Sequence, residues 1–237
     1  LVSIRKARSS AKSRIAEVNS PSASKTQEQK DVSRDRIVYA AERLFAESGY
    51  NNVSVREIAT EADVNTALIG YYFSNKEGLL LEIYRRHCDP MIEERMRGLA
   101  NALKLEGRDQ VSAIIEAFVR PALAQIEVKE GKAFFRLRAV LSGENSELLE
   151  KIVAQNFDKS SSAFIDALCN ALPHLSRPEV CWRFHFLLGA IYYTAAGPHR
   201  IFAFSNGTCD PSDGEAVIRA LVPFMTQAFY SWPFPAG

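Results

Sequence analysis

The chain's reactive potential lies in its helix starts more than in its side-chain nucleophiles. Residues 54–77 read SVREIATEADVNTALIGYYFSNKE, with Ser54 and Glu57 three positions apart. That pair is the S-x-x-E capping box, in which a hydroxyl accepts from the third amide while the carboxylate accepts from the cap's own N–H. Asn65 supplies a second N-cap, and Ser74 with Glu77 repeats the box. Each start leaves backbone N–H groups able to receive a phosphate, with Tyr71 and Lys76 beside them. Covalent chemistry finds less support: no Ser/His/Asp grouping at useful spacing, no E-x-x-H pair and no glycine-rich phosphate loop. Cys181 and His185 stand i and i+4 on a predicted helix and can jointly touch a metal. Structural zinc normally takes four ligands, so core burial is the favoured reading, and no metal or cofactor is expected.

The elements that must position these starts follow from periodicity. Ile58, Ala59 and Ala62 make a narrow apolar stripe on a short helix that stops near Asp63, a residue tolerant of the left-handed conformation. Thr66 to Phe73 makes a second short helix, with Leu68, Ile69 and Tyr72 or Phe73 turned inward. Ser33 caps a preceding helix, Arg34 to Ser48, which carries Ile37, Ala41, Leu44 and Phe45 and ends at Gly49. Two short helices joined by a turn of about 3–4 residues describe a helix-turn-helix, whose second helix can enter a major groove.

With V-R-E-I-A, A-D-V-N and Y-Y-F-S-N-K-E-G-L-L in this order, residues 34–80 resemble the DNA-binding head of the TetR family of bacterial transcription regulators. The chain departs from the family pattern at Asp63, where glycine is usual, and at Gly70, where many members carry a tyrosine. The second departure removes a groove-facing side chain. The resemblance implies that Arg56 and Thr66 meet base edges and that Ser54, Asn65, Tyr71, Tyr72 and Lys76 meet phosphates. Ala67 and Gly70 would allow close approach to an inverted-repeat operator on double-stranded DNA.

Charge alone does not advertise this partner: the net charge is +1 over 237 residues. Arg34 to Glu77 holds Arg34, Arg36, Arg43, Arg56 and Lys76 against seven acids, so phosphate affinity must come from placement. Residues 1–33 hold seven Lys or Arg against three acids and are expected to be a disordered basic tail. Either Arg5, Lys6 and Arg8 reach along DNA as an arm, or the tail adds only diffuse attraction. Nearly half of the residues, 47%, are apolar, enough for a sizeable core. No apolar run is long enough for a bilayer span, no signal peptide opens the chain, and no membrane partner is expected. Cys88, Cys169, Cys181 and Cys209 show no framework, which fits free thiols in a cytoplasmic protein.

Beyond the head, residues 81–237 read as one helical domain for ligand binding and dimerisation. Asp89-Pro90 either kinks a long helix or starts a new one; Gln110–Ile126, Lys132–Leu141, Leu148–Leu172, Arg177–Ala196 and Asp213–Tyr230 follow. Ser176/Glu179 and Ser212/Glu215 are read as capping boxes. About nine helices and no strand pattern make the fold all-α, a three-helix head plus a helical bundle.

Arg177–Ala196 is apolar almost all round, and the last helix presents a broad apolar face. Paired with their copies, these two helices would form an isologous four-helix interface, as the resemblance implies; otherwise both belong to one monomer's core. The residues chosen for the interface are Leu188, Ile191, Ala195, Leu221, Met225 and Phe229. The resemblance also implies a small-molecule pocket among Phe118, Phe134, Phe135, Phe157, Phe164, Trp182 and Tyr192. Arg136, Arg138 and His185 can hold the polar or anionic end of an apolar effector, while plain core packing remains open for each aromatic. The leading expectation is a homodimeric, ligand-responsive regulator, a repressor, and not an enzyme. The competing one is a helical-bundle enzyme or hydrophobic-ligand carrier that does not bind DNA.

Overall fold

The computed structural model describes residues 21–127, 129–143, 147–196 and 198–231, which are helical apart from turns, bends and short irregular links, with no strand among them. Ten α-helices appear among them. The first four are α1 (Pro21–Ser48), α2 (Val55–Glu61), α3 (Thr66–Phe73) and α4 (Lys76–Ala102). Next come α5 (Gly107–Ala124), a 3₁₀ turn (Gln125–Glu127), α6 (Lys129–Gly143) and α7 (Glu147–Ala171). The last are α8 (Arg177–Ala196), α9 (Pro198–Phe204) and α10 (Gly214–Phe229). The expected tail is helical from Pro21 onward, so Ser33 lies inside α1 rather than at its cap. Arg5, Lys6 and Arg8 lie outside the described residues.

The head packs α1, α2 and α3 against the start of α4. Ile37, Ala41, Phe45, Ile58, Ile69, Phe73, Leu79 and Leu80 are buried together, each large side chain contributing roughly 1.5–3 kcal/mol over exposure. Two tight corners set the helix directions. Asp63 adopts φ 50° between α2 and α3, the left-handed geometry the sequence suggested. Between α3 and α4, Ser74 takes φ 66° and Asn75, not Ser74, is the cap, its Oδ1 accepting from the Gly78 N–H at 2.8 Å. Gly78 is required there, because an added Cβ would lie 2.1 Å from the Phe73 carbonyl oxygen.

Helix α4 runs unbroken through Pro90, so no helix begins at Asp89, and the expected division at residue 80 lies inside a continuous helix. Pro121 and Pro223 are likewise interior to α5 and α10. In the body α4 packs on α5 and α7, α5 on α10, and α6 on α8, while α1 reaches across to α6. Arg183, 4% exposed, donates to the carbonyls of Ala228 (2.6 Å) and Phe229 (3.0 Å) at the end of α10. A buried guanidinium thereby satisfies the last carbonyls of the final helix. Asp213 caps α10 by accepting from the Ala216 N–H at 2.8 Å, so Ser212/Glu215 is not a box; Glu215 instead pairs with Arg120 across to α5. At Ser176, the Glu179 carboxylate accepts from both the backbone N–H (2.9 Å) and the hydroxyl (2.7 Å).

Candidate nucleic-acid interface and effector site

The start of α2 forms as its residues dictate. The Ser54 N–H donates to Glu57 Oε2 at 2.7 Å, and the Glu57 N–H donates to Ser54 Oγ at 3.2 Å. The Ser54 hydroxyl, then its amide, hold the Glu57 carboxyl below its ordinary value. Asn65 Oδ1 accepts from the Ala67 N–H at 2.8 Å and starts α3. With Ile69 and Phe73 turned into the core, α3 exposes Thr66, Ala67, Gly70 and Tyr71. Tyr71 is 71% exposed and meets the half-buried Tyr72 edge-on, with centroids 5.0 Å apart. An added Cβ at Gly70 would meet nothing within 4 Å. Arg56, on α2, is exposed.

The head's basic residues divide sharply. Arg34 pairs with Glu82 at 2.7 Å, and Arg43 with Glu47 (3.0 Å) and Glu61. Arg36 closes the α2–α3 turn, donating to the Asp63 carbonyl at 3.1 Å and to its carboxylate at 2.9 Å. Lys76 departs from the phosphate role expected of it. Its ammonium turns inward, donating to the Tyr50 carbonyl at 2.5 Å and lying 4.1 Å from the Tyr50 ring centroid. Among the described residues no carboxylate pairs with Arg56. Neither the Arg36 clamp nor the inward Lys76 was found by sequence reasoning, because both partners are backbone carbonyls 26 and 27 positions away.

In the body the expected effector residues separate into two groups. Phe118, Phe134 and Phe135 are buried, with Phe118 edge-on to Phe164 at 5.1 Å and to Phe184 at 4.7 Å. Tyr192 is half-buried, and the Arg138 guanidinium lies 4.2 Å from its ring centroid and 5.9 Å from that of Phe134. Arg136, Trp182 and His185 are not among them. All three are exposed, and Trp182 meets His185 at 6.0 Å and Phe186 at 5.8 Å on the outer side of α8. The side chain of Phe157 lies outside the described residues.

Sequence reasoning missed the inner polar groups of α4. Tyr84 and Cys88 are fully buried, Arg95 is 2% exposed, and among the described residues the Tyr84 hydroxyl has no hydrogen-bond partner. Burial pushes the Tyr84 phenol up and the Cys88 thiol up to about 12. One turn from Tyr84, His87 stacks on Phe134 at 4.3 Å and places Nε2 2.9 Å from Oε1 of Glu42, a buried carboxylate on α1. Periodicity puts 84, 88 and 95 on one helix face, but charge and hydroxyl groups there read as surface in a sequence.

The interface residues chosen from sequence mostly face inward. Ile191, Met225 and Phe229 are at most 5% exposed within one chain, and Leu188, Ala195 and Leu221 are half-buried. The reason is that α8 is apolar on all sides: one side packs on α5, α6 and α7. The outward stripe is Trp182, Phe186, Gly189 and Tyr193, at i, i+4, i+7 and i+11, with Phe224 of α10 69% exposed.

Two family models match the chain. "Bacterial regulatory proteins, tetR family" matches residues 37–83, and "Tetracyclin repressor-like, C-terminal domain" matches residues 116–228. The chain is similar to the probable HTH-type transcriptional regulator YttP of Bacillus subtilis, 51% identical over 47 residues, covering 20% of this chain and 23% of that protein. It is also similar to the HTH-type transcriptional activator FasR of Mycolicibacterium smegmatis, 31% identical over 91 residues, covering 38% and 40%. Both matches span less than half of the relatives' own length. The solved structure of the TetR-family regulator PfmR of Thermus thermophilus covers 86% of this chain and 98% of its own, at TM-score 0.58 and 20% identity, a likeness of fold. With one family model on the head and the other on the body, the chain belongs to the TetR family of bacterial transcription regulators.

Proposed function

We propose that the protein is a homodimeric, effector-responsive transcription regulator, a repressor, whose α3 enters the major groove of an inverted-repeat operator. Four of the five basic side chains in residues 34–77 are tied to protein partners, while Arg56 on α2 is exposed, as are Thr66, Gly70 and Tyr71 on α3. That observation carries the reading. An exposed guanidinium next to a short helix with one polar and one aromatic outward residue suits a base edge and its flanking phosphates. Ser54 and Asn65 spend their side chains on their own caps, so their part in DNA contact is through the helix starts they hold. Head and body, proposed as two functional units, share α4.

The second copy would cover Trp182, Phe186, Tyr193 and Phe224, a contiguous class of exposed large apolar side chains on the last long helices. Gly189, with nothing within 4 Å of an added Cβ, leaves room there for close helix approach. An effector in the body would bias the spacing of the two heads through a coupling of about 1–3 kcal/mol. A site of this kind works in the cytoplasm and needs no catalytic group.

The test is a mobility shift of the full-length protein on the DNA upstream of its own gene, against excess random DNA. Specific retention is expected for the wild type. Arg56→Ala should weaken it roughly five- to a hundredfold with the fold intact, and Phe186→Glu should yield a monomer in sedimentation that no longer binds tightly. Equal retention of random DNA by the wild type would sink the reading.

A further inference from the structure

Helices α7 and α8 pack on each other and are joined by residues 172–176, a link short enough to make them an antiparallel hairpin. At the start of α8 the Arg177 guanidinium donates to Asp166 Oδ1 of α7 at 2.6 Å, so residues 166 and 177 stand on flanks that face each other. Cys169 follows Asp166 by three positions and Cys181 follows Arg177 by four, spacings that stack side chains on one face of a helix. Both cysteines therefore share the facing flanks. From Asp166 to Cys169 the chain runs about 4.5 Å toward the link, and from Arg177 to Cys181 about 6 Å away from it. The Asp166–Arg177 bond and the line from Cys169 to Cys181 are thus crossing diagonals of one patch. The charges acting on the Cys169 thiol agree: Arg177, Cys181 and Asp166, while burial is the larger influence and pushes the thiol up. Packed helices lie about 8–10 Å apart with each Cα about 2.3 Å off its axis. Directly facing Cα atoms are then about 3.5–5.5 Å apart and flanking ones rather more, which brackets the span of about 4.4–6.8 Å that a disulfide takes.

Both thiols are free; Cys181 is exposed and Cys169 half-buried. Cys181 lies about 100° round α8 from Trp182, on the α7 side of the outward aromatic stripe and not on it. We infer that Cys169 and Cys181 are an oxidant-responsive pair: a peroxide oxidises Cys181, and Cys169 closes the product into a disulfide joining α7 to α8. The Cys181 thiolate attacks one peroxide oxygen; the S–O bond forms, the O–O bond breaks, and the departing hydroxide is protonated to water. The Cys169 sulfur, losing its proton, then attacks the Cys181 sulfur; the S–S bond forms, the S–O bond breaks, and a second water leaves. Two thiols and one peroxide become one disulfide and two waters, and an external dithiol reverses the change. Arg177 favours the Cys169 thiolate that the second step needs. Disulfides that form and open in this way are the ones used for redox sensing. The pair rests on these two helices and goes beyond the regulator reading without depending on it.

The experiment treats the full-length protein with equimolar hydrogen peroxide, removes the excess with catalase and alkylates the remaining thiols in denaturant. Digestion after glutamate separates the two cysteines at Glu179, so that peptide mass mapping sees their bond as a linked pair of peptides. Two of the four thiols should be lost, in a Cys169–Cys181 link that runs as a single chain on a non-reducing gel and opens with dithiothreitol. Cys169→Ser should leave Cys181 as a sulfenic acid that dimedone traps, and Cys181→Ser should leave Cys169 reduced at the same dose. Cys209→Ser should leave the link unchanged. Unaltered thermal unfolding of the serine variants shows that they are folded. Retention of all four thiols, oxidation of Cys209 in place of Cys181, a Cys181 link between two chains, or over-oxidation of Cys181 beside a reduced Cys169 would overturn the pair.

Discussion

Lys76 and Arg56 are both basic residues of the head, and their surroundings assign them opposite duties. The Lys76 ammonium donates to the Tyr50 carbonyl at 2.5 Å and rests on two rings, 4.1 Å from Tyr50 and 5.7 Å from Phe45. It therefore pins the loop after α1 to the start of α4. A hydrogen bond from a charged donor contributes about 1.5–3 kcal/mol. The ring contact adds about 0.5–2 kcal/mol in a partly desolvated setting. Lys76→Met keeps the apolar stem and forfeits both, so a net loss of about 2 kcal/mol is expected in chemical denaturation. Operator affinity measured where the variant is folded should fall little, and its dependence on salt should keep the wild-type slope. Arg56→Ala should behave in reverse. Its unfolding midpoint should stay within about 0.5 kcal/mol of wild type, as for exposed sites. Its operator affinity should fall by about 1–3 kcal/mol if the guanidinium reads a base. If it holds a phosphate, the loss should be the same on every sequence, with the salt slope lower by about 0.9. A Lys76→Met protein as stable as wild type, with a slope lower by about one, would refute the inward clamp and restore Lys76 as a phosphate ligand.

Gly70→Ala should stabilise the head by about 0.5–1 kcal/mol in thermal unfolding, because the position is a helix interior with open space around an added Cβ. The same methyl stands on the proposed groove face, so operator affinity should drop in the mobility shift; a loss of stability instead would mean that this face is packed. Cys209 is exposed and should be alkylated by iodoacetamide at pH 8 in the folded protein. Cys88, buried with its thiol pushed up to about 12, holds about one thiolate in ten thousand there and should be labelled only on unfolding, as peptide mass mapping would show.

How much of this was legible in the sequence depended on whether a residue's partner was local. The Ser54/Glu57 box, the Asn65 cap, Asp63 in the left-handed turn and the inward Ile58, Ile69 and Phe73 are all set within a few positions of chain. Neighbouring polar residues that compete for one cap were harder. Asn75 displaced Ser74, and Asp213 displaced Ser212, because the longer side chain one position later reaches the free amide. Pro90 stays inside α4, where its missing N–H is tolerated by the long helix around it. Residues whose partners come from distant helices were illegible. Arg95 and Arg183 bond to carbonyls 23 and 45 positions away, and in a periodic pattern each reads as solvent-facing charge. On α8, apolar all round, the pattern contains no information about which side meets its own chain. Only the packing distinguishes Ile191 from Trp182.

The same packing gives the two halves a mechanical connection. Phe134 of α6 touches Tyr84 edge-on and stacks on His87, and His87 meets Glu42 of α1 at 2.9 Å. Glu42 is 4% exposed, so that contact belongs to a dry, close-packed junction rather than to a solvated rim. Close-packed junctions shift between discrete arrangements instead of deforming gradually. The Phe134 ring is shared between the Tyr84 and His87 contacts, so this residue of α6 meets α4 at the point where α4 meets α1. Helix α1 supports α2 directly, and α4 supports α3 while continuing unbroken into the body. Arg34, Arg36, Arg43 and Lys76 each tie one part of the head to another, α1 to α4, α1 to the α2–α3 turn, α1 to α2, and the start of α4 to the loop after α1. The head thus ties most of its positive charge to its own chain, and among the described residues Arg56 is the basic side chain of 34–77 without a carboxylate or carbonyl partner.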